Sequence, residues 1–134
     1  MKIEHFIEKR HFASNRISTQ VRAISLGLIV IIWGFLIDRS ATSFITSAGE
    51  KKGLMFVGFL ALLSMVLDFL QYLCIYINTN NLCNEMEKEG LETKNYDYSA
   101  LSYRYANKFF WIKQLCLAIA LIVFFVIVIP NFFN

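Results

Sequence analysis

Asp68 lies well inside an apolar run, Gly53 to Ile77, that reads GLMFVGFLALLSMVLDFLQYLCIYI. A charge at mid-bilayer depth costs at least ~2.5 kcal/mol, so an acid in such a run faces protein or water and not lipid. Ser64 stands one turn before it, Gln71 one turn after it, and Asn78 two further turns on. Those offsets put all four on one face of a helix. An acid among neutral polar groups can hold a cation, relay a proton or bond to a neighbouring helix. A second charge, Lys113, interrupts another apolar run and is followed by Gln114. The two charges suit an intramembrane ion pair, Asp68 with Lys113, flanked by Gln71 and Gln114.

These side chains have that meaning only if the runs that carry them cross a bilayer. The chain has 134 residues, of which 57% are hydrophobic and 17% charged. That hydrophobic share exceeds the usual ~45–50% of soluble domains, and the excess is gathered in three blocks. Each block reaches or approaches the ~20 apolar residues that a spanning helix needs. The expected fold is therefore all-α, a single transmembrane domain over 1–134 with three spanning helices. An amphipathic leader covers 1–20, the spans cover 21–37, 53–77 and 109–129, and a cytoplasmic helical hairpin occupies 78–108.

In the leader, Ile3, Phe6, Ile7, Ala13 and Ile17 recur at three-to-four-residue spacing, with charges on the other faces. That pattern predicts a helix in the headgroup plane. A polar stretch of this length, with no small-residue cleavage site after Ile37, argues against a cleaved signal. In span one, Ala23, Gly27 and Gly34 form a row of small residues that would let a neighbouring helix approach closely. The connection 38–52 reads as a polar loop. Past span two, Asn78 to Glu89 keeps helix propensity until Gly90 offers a C-cap. Asp97 or Ser99 could cap the third helix, and Pro130 is expected to stop it.

Basic residues outside the spans set the orientation. Lys2, Lys9, Arg10, Arg16 and Arg22 in the leader, with Lys88, Lys94, Arg104 and Lys108 in the second connection, make nine. Arg39, Lys51 and Lys52 in the first connection make three, and the tail has none. The expected N-terminus is cytoplasmic and the C-terminus outside. Asp68 then lies nine residues from Ile77, roughly 13 Å in along the axis. Lys113 lies five residues past Lys108 on the neighbouring span and reaches the same half of the bilayer.

Other chemistries find little support. Both histidines, His5 and His11, sit in the leader, so no Ser–His–Asp or Cys–His set and no haem ligand within a span is available. No glycine-rich phosphate loop occurs, and Cys74, Cys83 and Cys116 lack metal spacing. The expectation is not an enzyme, with no cofactor and no metal. Tyr96, Tyr98, Tyr103, Tyr105 and Trp111 suit an interfacial aromatic belt. With Arg104 and Lys108 among them they could also stack nucleic-acid bases. Glu85, Glu87, Glu89 and Glu92 read as a solvated face or as cation attraction at a pore mouth.

The segments QVRAISLGLIVIIWGFLI, LDFLQYLCIY and FFWIKQ resemble a group of small bacterial membrane proteins. Some proteins of that size class serve antiphage systems as effectors that depolarise or permeabilise the inner membrane. The resemblance covers the three spans and assigns a role to no particular residue. It implies an oligomeric channel or pore-forming effector in the bacterial inner membrane, gated from the cytoplasmic side. Ser64, Asp68, Gln71 and Asn78 would line the path, and span one would pack at the side of span two through Ala23, Gly27 and Gly34. The competing expectation is a non-conducting anchor that docks a soluble cytoplasmic partner through 78–108.

Overall fold

The computed structural model describes residues 3–37, 47–90 and 100–133, with side chains from residue 15 onward except Phe132. Three helices make up these residues: α1 (Ile3–Ile37), α2 (Ala48–Glu89) and α3 (Leu101–Phe133). There is no strand among them. All three are long and apolar enough to cross a membrane, over Asn15–Ile37, Ala48–Glu89 and Leu101–Asn131. The chain thus has the make-up of a helical membrane protein.

α1 runs unbroken through residue 20, where the leader was expected to give way to the span. The first glycine of the chain is Gly27 and its one proline is Pro130, so nothing in Ile3–Leu26 interrupts a helix. The amphipathic pattern of the leader rests largely on side chains before Asn15, those of His5 and His11 among them, and these side chains lie outside the description.

α2 starts after Ser47, whose backbone N–H donates to Glu50 Oε2 at 3.3 Å, an arrangement that satisfies one open donor of the first turn. It ends at Gly90, which adopts φ +63°, ψ 29° and returns its N–H to the Met86 carbonyl. A left-handed residue there is cheap only for glycine. Residues 38–46 and 91–99, with Arg39, Glu92, Lys94, Tyr96, Tyr98 and the expected caps Asp97 and Ser99, lie outside the described residues.

The expected stop at Pro130 does not occur: α3 continues to Phe133 with Pro130 inside it. Proline removes one N–H and crowds the carbonyl four residues back, which is tolerable so near a helix end. Asn131 also secures the turn, because its Nδ2 donates to the Ile127 carbonyl and to Glu50 Oε1, both at 2.9 Å.

α2 is the central helix. Its antiparallel packing on α3 is its longest contact, α1 lies antiparallel along another side, and α1 and α3 barely meet. The buried positions explain the arrangement. They alternate at three and four residues in every helix: Ser18, Val21, Ser25, Leu28 and Ile32 in α1; Leu54, Val57, Ala61, Ser64, Asp68 and Gln71 in α2; Lys113, Leu117, Ala120 and Phe124 in α3. That alternation is the seam of helices wound gently about one another.

The seam has two chemically distinct halves. Leu28, Ile32, Leu54, Val57, Leu60, Leu117 and Phe124 form an apolar core toward the α2 N-terminus. Ser18, Ser25, Ser64, Asp68, Gln71, Asn78 and Lys113 fill the other half. Meanwhile Trp33, Phe56, Phe59, Phe69, Trp111, Ile122 and Val126 face outward. Apolar outside and polar inside is the arrangement a lipid solvent demands.

Candidate functional site

The site forms where side chains of α1, α2 and α3 meet, about three turns from Asn78 at the polar end of the seam. Asp68 is 2% exposed and Lys113 is 0% exposed, so neither charge reaches solvent. The Lys113 Nζ donates to Asp68 Oδ1 and to Ser18 Oγ. Ser18 Oγ in turn donates to Asp68 Oδ1 at 2.8 Å, which closes a three-membered ring of partners, one from each helix. Arg22 Nε reaches the other carboxylate oxygen, Asp68 Oδ2, at 3.1 Å. Its side chain is half exposed, so the guanidinium bridges the buried cluster and the outside.

A second polar rung lies one turn along. Ser25 and Ser64 hydroxyls meet at 2.8 Å, and Ser64 Oγ also donates to the Ala61 carbonyl at 2.8 Å. A hydroxyl has one proton, so Ser25 is the donor between them. Toward the polar end, Tyr72 OH donates to Asn15 Oδ1 at 2.7 Å, and the Arg22 guanidinium lies over the Tyr72 ring at 5.4 Å. The Lys113 ammonium also sits 5.3 Å from the Phe110 ring centre. Cation–π contacts of this kind strengthen when desolvated.

The four residues of the α2 stripe, Ser64, Asp68, Gln71 and Asn78, are all buried within the chain. Ser64 bonds to α1, and Asp68 bonds to both α1 and α3. Gln71 and Gln114 are different: Gln71 Oε1 and Gln114 Nε2 are buried with no hydrogen-bond partner among the described residues. Ala23, Gly27 and Gly34 lie on the outward face of α1, opposite the row that packs on α2. A methyl group added at Gly27 or Gly34 would meet nothing within 4 Å.

Ser18, Arg22, Ser25, Asn15 and Tyr72 complete the site and were not singled out from the sequence. Ser18 and Ser25 carried a usable signal, since they stand seven apart in register with Leu28 and Ile32. Arg22 carried none, because a basic residue at the foot of a span reads first as a topology determinant.

Among the described residues no cluster of His, Cys, Asp and Glu is placed to hold a metal ion. Cys74 and Cys116 are half-buried thiols and Cys83 is an exposed one. The chain matches no protein-family model, no curated protein and no solved structure.

Proposed function

We propose that this protein is a bacterial inner-membrane effector that assembles as a homo-oligomer and passes ions when its charge cluster opens. The observation that carries the proposal is the pair of partnerless amide atoms, Gln71 Oε1 and Gln114 Nε2, beside a buried Lys–Asp–Ser–Arg cluster. A bundle needing only to stay packed gains little from such groups, since each unmet buried polar atom costs ~1–3 kcal/mol. Apolar residues of like volume often do as well as a buried ion pair. A polar stripe of Ser64, Asp68, Gln71 and Asn78 with one atom of Gln71 left unmet suits a seam that takes up water in another state. In the closed state the stripe is occupied by α1 and α3, so opening requires Arg22 or Lys113 to leave Asp68.

Ala23, Gly27 and Gly34 would form the contact between copies, and a symmetric ring is the usual solution for such a surface. The excess of Lys and Arg in the N-terminal segment and the 78–108 connection supports a cytoplasmic position for both. The antiphage setting rests on the resemblance of the spans alone.

A second reading has its own support. α2 has 42 residues, roughly 63 Å, whereas the hydrocarbon core is about 30 Å thick. Its C-terminal end, with exposed Cys83, Glu85, Glu87 and Glu89, must therefore project as a stalk on which a cytoplasmic protein or ligand could dock. Conductance decides between the two. Purified protein in planar bilayers should show discrete currents that rise in Asp68→Asn, where the lock is weakened. Silence in both proteins, together with capture of a defined cytoplasmic partner by the 78–108 connection, would select the anchor.

A further inference from the structure

We infer that the cleft between α1 and Tyr72 is a binding site for a phosphate group, and that an anionic phospholipid headgroup is its natural source. The cleft is an open one of ≈ 690 Å³, lined by Asn15, Arg16, Thr19, Gln20, Arg22 and Tyr72. Its lining contains two guanidiniums and two amides and no carboxylate, while the Thr19 and Tyr72 hydroxyls spend their protons on Asn15. That is a donor-rich surface of the kind that recognises a tetrahedral anion, since guanidinium bonds to phosphate are charge-assisted and can be bidentate.

The charge balance behind the cleft points the same way. Asp68 has two cationic partners, the fully buried Lys113 and the half-exposed Arg22. One carboxylate offsets one of them, which leaves a formal positive charge that emerges at Arg22, on the cleft wall. Arg16, six residues earlier on α1, is the other guanidinium of the wall. Cation–π stacking on Tyr72 and the Nε contact to Asp68 fix the Arg22 plane. The terminal nitrogens of a guanidinium held at Nε remain available for a ligand.

Position favours a lipid over a free anion. The cleft lies where α1 changes from polar to apolar sequence, the level of headgroups beside a span. Exposed Ile24 on α1 and exposed Phe69 and Leu73 on α2 flank Arg22 and Tyr72, giving acyl chains an apolar surface. Basic pockets between spanning helices are a recognised way to hold lipid phosphates. The proposal is independent of whether the protein conducts.

The test is native mass spectrometry of the full chain released from nanodiscs that contain equal phosphatidylglycerol and phosphatidylcholine, with and without added inorganic phosphate. The expected result is retention of phosphatidylglycerol over phosphatidylcholine, weakened roughly tenfold in Arg16→Gln and in Tyr72→Phe. Tyr72→Phe removes only the hydroxyl that holds Asn15, so it keeps the test alive if the arginine variant folds poorly. Binding of inorganic phosphate without preference between lipids would assign the same chemistry to a soluble anion. Equal retention of both lipids with no phosphate bound overturns the site, as does undiminished binding in both variants.

Discussion

At the scale of single residues, Asp68 is the group on which most else depends. It accepts from Ser18 and Lys113 on one oxygen and from Arg22 on the other. The two cations are not equivalent. Lys113 is fully buried, so Lys113→Met should leave Asp68 to Arg22 and Ser18 alone and cost about 1–3 kcal/mol of stability. Arg22 is half exposed, and Arg22→Gln should cost under ~1 kcal/mol. Replacing Asp68 and Lys113 together by apolar residues should recover most of the first loss. Unfolding of the purified protein in graded denaturing detergent measures all three. Equal stability of the single and double variants would show that the pair contributes nothing.

At the scale of helices, the polar seam sets which faces meet. α1 presents Ser18, Val21, Ser25, Leu28 and Ile32 to α2, leaving Ala23, Gly27 and Gly34 outward. Gly27→Leu should therefore leave the unfolding midpoint of one chain nearly unchanged, because open space surrounds the position. The same variant should lower the oligomeric mass in mild detergent if copies meet through that row. At the end of α2, Gly90→Ala forces an alanine to φ +63°, a cost of ~1 kcal/mol. Hydrogen exchange should then quicken over the last turn, Met86–Glu89, and stay unchanged around Asp68.

The three helices were legible from composition and run length, because lipid leaves a long apolar stretch no alternative to a helix. Counting depth along antiparallel spans sets Asp68 beside Lys113, and the two do touch. The roles of Ser18 and Arg22 were hidden, since their partner is 50 or so residues away and neither type is unusual at a span's foot. Pro130 misled because its cost depends on where the helix ends, and Asn131 and Glu50 hold that end.

At the scale of the whole molecule, orientation is the first property to check. Cys83 is an exposed thiol near the C-terminal end of α2. A membrane-impermeant maleimide should label it only after the inner membrane is opened, whereas labelling of intact spheroplasts would invert the topology. The bundle's asymmetry also bears on its history in the cell. Arg22 precedes Asp68 in the chain, whereas Lys113 follows it by 45 residues. At ~5–20 residues per second, the ribosome takes roughly 2–9 s to supply that lysine. During those seconds Arg22 is the one of the two cations able to meet the acid, so the first two helices can leave the translocon as a neutralised hairpin. A chain truncated after Gly90 should integrate into membranes, and the same fragment carrying Arg22→Gln should do so far less. The half-exposed arginine, which adds little to the finished bundle, would then serve chiefly as an escort for Asp68 during synthesis.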